Sequence, residues 1–419
     1  MTEWNKLLSR KMLYRAVSVS LGAALLITPL SASAGNAASV GAGGNASASA
    51  VKESKATPVY EGSKLTVGEN RFLTRKEIGR EWDGIDPEYK PDKAVEAVKS
   101  LLTEKDFAEL FPYRLGSPQW YAVAKGKEYF KENQKDYFSY QNLIDAVTEA
   151  ANIKLKVSSR KGSPNVQEVY RLDKDARIET LVSRTDDFNS AENKKKEIVN
   201  VIIDFGTFLK EGFKKDRKRE LAAFLANLAH ETGGGWSTAP GGELKWGLFW
   251  NENIAGRTGA NKSTFVDENS AALYPGVEGK RYYGRGPIMM SWNFNYGLFS
   301  SIIYGDKSVL LAKPEILAED GKIGYMTAIL FWMTPQNPKP SAHDVMINKW
   351  KPTKEQIGKG LRKPGFGVSI LVLNGLEANL GFVDGSPVKR RAGHYLDITQ
   401  RMGVDVTGEK IDTLAMDPF

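Results

Sequence analysis

Between positions 219 and 236 apolar residues recur at helical spacing. Leu221, Phe224, Leu225 and Leu228 stand at i, i+3, i+4 and i+7, which predicts an amphipathic helix. At about 100° per residue, Glu231 falls at the edge of that apolar stripe. Gly233, Gly234 and Gly235 then end the helix, as glycines just past a C-terminus do. Glu231 is therefore expected in the last turn, half buried beside the negative end of the helix dipole. Both conditions disfavour its charged form, and a carboxyl kept protonated can serve as a general acid. Taken alone, a glutamate at a helix end is more often an ordinary surface residue.

The same period recurs in AVEAVKSLL (94–102), LTEKDFAELFPYR (102–114) and KDYFSYQNLIDAVTEAA (135–151). Thr103 with Asp106 has the spacing of a capping box. Between 152 and 196 the period is lost. NIKLKVSS, EVYRLD and ARIETLVSR predict short strands around Gly162, Ser163 and Pro164, which reads as an insertion, a hairpin at the edge of a cleft. VNVIIDFGTFLKEG (199–212) is expected to resume the helix. No internal repeat is present. The pattern predicts a mainly α protein with a small β insertion and long Gly- and aromatic-rich loops, the kind of loop that builds a substrate cleft.

The N-terminus changes the picture. Lys6, Arg10, Lys11 and Arg15, the apolar run 16–30 and Ala32-Ser33-Ala34 have the order of a secretory signal peptide over 1–34. The run is shorter than the about 20 residues that span a bilayer, so cleavage is expected over an uncleaved anchor. A secreted protein, extracellular or periplasmic and free of the membrane after cleavage, follows. Residues 35–58 are Gly/Ala/Ser-rich and predict a flexible linker. Residues 59–96 mix charges with Tyr60, Phe72, Trp82 and Tyr89. They predict an arm packed on the main domain rather than a small sugar-binding module, because thirty-odd residues make a poor core of their own. Hydrophobic content of 41% and charged content of 26% over 419 residues are ordinary for a globular protein. With no cysteine, disulfides and thiolate chemistry are excluded. Four basic residues and one acidic residue in 1–34 take the net charge from +8 to +5 on cleavage, a mild excess that favours anionic cell surfaces. No nucleic-acid motif joins it.

HETGG (230–234), WSTAPGG (236–242), YYGRGPIMMSWNFNYG (282–297) and FWMTPQNPKPSAHDV (331–345) are long blocks of low degeneracy. Together they resemble the signature blocks of family 19 glycoside hydrolases, the chitinase and endolysin group, over residues 97–419. The resemblance implies a lysozyme-like fold with long loops around a substrate cleft, and inverting hydrolysis of β-1,4 links between N-acetylglucosamine units. An F-P-x-R element before a Y-x-Y/F-x-x-L-I-x-A element is similar to the family's opening helices.

Hydrolysis of a glycosidic bond needs a carboxyl that protonates the leaving oxygen and a second that acts on water or on carbon. Glu231 is the acid. The resemblance puts the base six or seven positions after a tryptophan; from Trp246 that reaches Glu252 or Asn253, and only Glu252 ionises. Glu243 and, further off, Glu268 are the other candidates. By resemblance Ser291 holds the attacking water, Asn295 bonds the substrate's amide or hydroxyls, and Arg391 in R-x-G-x-Y braces the acidic pair. Trp246 and Tyr283 belong to a dense aromatic set that also holds Trp236, Trp250, Tyr282, Trp292 and Tyr296. Such rings stack on pyranose faces, although most serve as core. Met289 stands where the family commonly has Gln, and Asn374-Gly375-Leu376-Glu377 is one glycine short of the family's N-G-G-L-E. Both departures bear on substrate subsites and neither removes the acid or the base. His230-Glu231 begins like H-E-x-x-H, but position 234 is Gly, so no metal and no cofactor is expected. The expected partner of this monomer is chitin, with peptidoglycan as the alternative substrate and a non-catalytic chitin-binding role as the third reading.

Overall fold

A helix with an apolar stripe must bury it, and most helices of this chain bury theirs against one another. The structure, a computed structural model, describes residues 65–336, 338–361 and 364–419. The expected signal peptide, the 35–58 linker and Tyr60 lie outside the described residues. The helices that organise the core are α1 (Arg75–Glu81), α2 (Pro91–Leu101), α3 (Tyr140–Ala151), α4 (Lys214–Glu231), α5 (Asn293–Tyr304), α6 (Gly321–Met333), α7 (Ala342–Met346), α8 (Phe366–Leu373) and α9 (Pro387–Arg401). Further short helices, among them Glu104–Leu110 and Pro118–Ala124, lie in the connections, and the protein is mainly α as expected. Helix α3 packs between α2 and α6, while α4 packs along α9 and against α7 and α8. Helices α6 and α8 are apolar on every side and buried almost throughout. Local chemistry sets the starts: Ser139 Oγ caps α3 by accepting from Asn142 N at 3.1 Å, and Ser386 caps α9 with Pro387 in its first turn.

The β part is larger than the sequence suggested. β1 (Asn70–Phe72), β2 (Ile153–Arg160), β3 (Ser163–Asp173), β4 (Ile178–Arg184) and β5 (Ile198–Asp204) form one antiparallel sheet in the order β1-β4-β3-β2-β5. The β2–β3 hairpin turns on Lys161-Gly162, with Gly162 at φ +75°. Two expectations are corrected here. The 152–196 segment is not a lone hairpin at the cleft edge but the centre of a five-stranded sheet. The start of 199–212 is strand β5 followed by a 3-10 turn, not a helix. Val199, Ile202 and Ile203 mimic helical spacing, but Ile198, Val199, Val201, Ile202 and Ile203 are β-branched, stiff at χ1 and suited to pairing with β2.

The described part of the 59–96 segment closes this sheet. Strand β1 pairs with β4, and Leu73, Ile78 and Trp82 form a second apolar cluster with Tyr170, Leu172 and Leu181. Trp82 Nε1 donates to Glu179 Oε1 at 2.9 Å. Lys156 Nζ pairs with the same carboxylate at 3.1 Å and sits 4.5 Å from the Trp82 ring and 4.8 Å from the Tyr170 ring. Lys154 donates to the carbonyls of Trp82 and Gly84. The Trp82 ring is fully buried, so it is a packing group and not a sugar platform. Trp82→Ala is expected to lower the stability of the chain by about 3–5 kcal/mol. Urea unfolding followed by fluorescence checks this; a loss under about 1 kcal/mol would show that the arm lies outside the cooperative unit.

A buried cation joins the helices on the other side. His343 on α7 contacts Glu220 of α4 through Nδ1 (2.6 Å) and Glu211 through Nε2 (2.9 Å). Trp332 Nε1 on α6 donates to the same Glu220 oxygen at 3.1 Å, and Lys349 pairs with Glu211 at 3.2 Å. Burial opposes protonation of His343, but the Glu220 charge and the hydrogen bonds of both carboxylates outweigh it and hold its pKa up at about 10. A histidine raised above its ordinary 6.5 contributes stability that is complete below pH 6.5 and is lost as pH rises through about 10. The urea midpoint should therefore fall across that window in the wild type. In His343→Gln it should start lower, by about 3–5 kcal/mol of unfolding free energy, and vary less with pH.

Candidate active site

Glu231 is the last residue of α4. Glu220, Phe224, Asn227 and Glu231 are spaced 4, 3 and 4 apart, so one stripe of the helix carries the His343 clamp at one end and the candidate acid at the other. The chain then doubles back tightly. A side chain on Gly235 would put its Cβ 2.3 Å from the Glu243 carbonyl oxygen, and one on Gly234 would meet the Phe249 ring at 2.6 Å. The returning segment satisfies the helix end: Leu248 N donates to Thr232 Oγ1 at 3.0 Å, and Phe249 N and Trp250 N donate to Thr232 O at 3.0 and 2.9 Å.

The Glu231 carboxyl meets a buried guanidinium. Arg391 on α9 donates Nη2 to Glu231 Oε1 at 2.5 Å, grips Glu377 through Nε (2.8 Å) and Nη2 (2.7 Å), and bonds Asn227 Oδ1 through Nη1 at 3.1 Å. Asn374 Nδ2 in turn donates to Glu377 Oε1 at 3.1 Å. The pKa of Glu231 is raised, chiefly by burial; the Arg391 charge and hydrogen bond oppose the rise and the nearby Glu377 charge adds to it. His230 beside it is pushed well below its ordinary pKa, by burial first and then by the Arg391 charge, so its ring is neutral.

The second carboxylate lies along the same returning segment. Glu252 is two residues, at most about 7 Å of chain, beyond Trp250, whose N–H is bound to Thr232. Asn253 Oδ1 accepts from Gly256 N at 2.8 Å and so caps the short helix Ile254–Arg257. Of the two positions, Glu252 is the one with its side chain turned to chemistry. Its Oε2 accepts from the Tyr283 hydroxyl at 3.0 Å, and Arg257 stands 3.8 Å from Oε1. The backbone of Glu252 bridges to Arg285, which bridges to Met290. Asn253 N donates to Gly284 O at 2.7 Å and Gly286 N to Asn251 O at 2.8 Å. Ser291 Oγ donates to Met289 O at 3.1 Å, and Asn295 Nδ2 on α5 donates to Ser291 O at 2.8 Å.

Glu252, Tyr283, Met289, Ser291 and Asn295 thus share one platform, while Glu231, Arg391 and Asn374 share the other; segment 246–253 ties the two together. The structure gives each of these residues its partners. Trp246 is 3% exposed: its ring stacks on Tyr113 at 4.4 Å and its Nε1 donates to Pro240 O. The exposed ring beside it is Trp236, at 41%. Arg391 is fully buried, and its donors go to Glu231, Glu377 and Asn227. Asn295 is fully buried and orders the Ser291 carbonyl, and Tyr283 holds Glu252. Met289, buried at φ +50°, presents its carbonyl to Ser291. Glu243 opens the 3-10 turn that leads to Trp246, and Glu268 lies exposed on a separate turn. Among the described residues, no group of three histidines and carboxylates stands where it could hold a metal ion.

The sequence profile of glycoside hydrolase family 19, described as chitinase class I, matches residues 174–413, more than half of the chain. The chain belongs to this family. Its family 19 relatives include Chitinase 9 of Oryza sativa subsp. japonica, 41% identical over 223 residues (53% of this chain, 63% of the relative), and Endochitinase A2 of Pisum sativum, 41% over 217 residues (51% and 62%). Inactive chitinase-like protein 1 of Hevea brasiliensis is 41% identical over 216 residues (51% and 64%). The matched chain spans less than two thirds of the length of each of these three. Among solved structures, chitinase C from Streptomyces griseus HUT6037 is similar with a TM-score of 0.44 and 23% identity, over 74% of this chain and 97% of that one. A class IV family 19 chitinase from Zea mays gives 0.34 and 28%, over 48% and 77%.

Several residues of this family 19 site escaped the sequence reading. Asn227 lies one turn before Glu231, a spacing that could have marked it as a neighbour of the acid. Thr232 and Glu377 owe their roles to tertiary contacts. Replacing Arg391 by Gln leaves two buried carboxylates facing each other without a cation. The expected cost is about 3–5 kcal/mol of stability, with the thermal midpoint of the variant recovering as pH falls and the carboxyls protonate; a midpoint equal to wild type at pH 7 would show that Arg391 is not the clamp.

Proposed function

We propose that the protein is a secreted, endo-acting family 19 hydrolase that cleaves β-1,4 links in chitin with inversion. The observation that carries this reading is the largely buried Glu231 carboxyl, raised in pKa and held by Arg391, with Glu252 on the segment that returns to its helix end. Identity alone is a weaker support, because an inactive chitinase-like protein is as similar as the chitinases. In this reading Glu231 protonates the glycosidic oxygen. Glu252 takes a proton from a water ordered with the help of Ser291, and that water attacks the anomeric carbon from the opposite face. After transfer, Arg391 balances the new charge on Glu231. Secretion rests on the charge and apolar pattern of 1–34.

Peptidoglycan is the second reading. The observation that favours it is Met289, an apolar side chain where family 19 commonly offers an amide, so the subsites differ from the usual set. Protein from Gly35 onward, assayed on chitin oligosaccharides and on purified peptidoglycan, separates the two. Turnover of chitin oligomers is expected, and Glu231→Gln should lower it by about 10²–10⁴-fold. Release from peptidoglycan alone would move the substrate and keep the mechanism. Binding without turnover of either polymer would make the chain a chitin-binding protein.

A further inference from the structure

Arg285 is 3% exposed, yet among the described residues it has no ion-pair partner. Its Nη1 donates to Arg281 O at 2.9 Å and to the Tyr296 hydroxyl at 3.0 Å, and its Nε has no hydrogen-bond partner. A guanidinium taken out of water costs free energy unless a carboxylate offsets it. What lies against this one is a ring: the guanidinium carbon is 3.7 Å from the centroid of Tyr283. Tyr283 is fixed from two more directions. Its carbonyl accepts from the Tyr296 hydroxyl at 2.8 Å, and its own hydroxyl donates to Glu252 Oε2 at 3.0 Å. The backbone of Arg285 is meanwhile paired with Glu252 on one side and Met290 on the other. Arg285 therefore touches Glu252 only through the backbone and through Tyr283, and it stands beneath the loop that carries Ser291.

We infer that Arg285 and Tyr283 form a positioning pair for Glu252: the guanidinium clamps the Tyr283 ring by stacking, and the Tyr283 hydroxyl fixes the carboxylate in the orientation from which it takes a proton from water. The inference rests on the reading of Glu252 as the base. It gives Arg285 and Tyr283 a role other than contact with sugar. Guanidinium is suited to this place because it is planar, stays charged and lies flat on a ring, which an ammonium does not.

A double-mutant cycle on chitin oligosaccharides tests it, with Glu252→Gln measured alongside. If Glu252→Gln leaves turnover intact, the base assignment fails and the inference goes with it. If Glu252→Gln removes turnover, Tyr283→Phe is expected to lower kcat by about 10- to 100-fold, the worth of one hydrogen bond to a charged group, with KM within about twofold. Arg285→Gln should also lower kcat, and the double variant should be no slower than the slower single, because both act on one orientation. Losses that multiply, or a raised KM with kcat unchanged, would overturn the inference and make these substrate-binding residues. Should Arg285→Gln fail to fold, Arg285→Lys completes the cycle: it keeps the charge and loses the flat face, so it should still reduce kcat, and full activity would overturn the role of the stack.

Discussion

The site depends on one buried cation. Arg391 lies where α9 crosses α4, out of contact with water, and its donors are divided among Glu377, Glu231 and Asn227. Burying a guanidinium is affordable only because Glu377 meets it in two places, and the Glu377–Arg391 pair is then a fixed structural unit. Glu231 is the outer member of the group. It feels a single bond from the shared cation, the negative field of Glu377 and the loss of water at the helix end. Desolvation prevails in that balance, and the carboxyl is raised rather than lowered. An arginine beside a carboxylate usually does the opposite; here its pull is outweighed by burial, with the Glu377 charge adding to the rise.

The rest of the architecture serves to bring a second carboxylate to that helix end. Gly234 and Gly235 allow the chain to turn back against Phe249 and Glu243 with no room for a Cβ. The backbone of 248–250 then satisfies carbonyl and hydroxyl groups that the helix leaves open at Thr232. Glu252 follows two residues later and is braced from the opposite side by the 283–291 platform. Backbone hydrogen bonds from 248–250 to Thr232, together with the Tyr283 hydroxyl on Glu252, set the relation between the two carboxylates. At the far end of the same helix, His343 sits between Glu220 and Glu211 and anchors α7 and α6 to α4. The helix that carries Glu231 is therefore pinned by a buried charge at each end of one stripe.

The sheet follows a different logic. Lys154, Lys156, Glu179 and Glu168 are buried in it, and the arm with Trp82 covers that charged face. Alternation of charged and apolar residues in IKLKVSSR announces a strand with two unlike faces, and the turn at Lys161-Gly162 announces a hairpin. Their partners were not announced. β1 comes from some eighty residues upstream of β2, and β5 from a stretch whose apolar spacing fits a helix as well as a strand. Short runs with both readings open are resolved by what lies alongside them, and pairing along the edge of β2 resolves this one.

By itself, the sequence determined what depends on neighbours along the chain. The apolar period set the helix that ends at Glu231, the glycines set its stop, the lack of cysteine excluded disulfides, and four dense blocks carried family 19. The tertiary structure decided what depends on groups distant in sequence. Arg391 is 160 residues from Glu231, and no local pattern says which carboxylates it will meet; it met Glu231 and Glu377 instead of Glu252. Trp246 and Tyr283 are both aromatic residues in loops, equal in sequence, but one is buried against Tyr113 and the other holds Glu252. A residue type fixes which interactions are available, while burial and geometry select among them, because the cost of leaving water and the direction of a hydrogen bond exist only once the chain has folded.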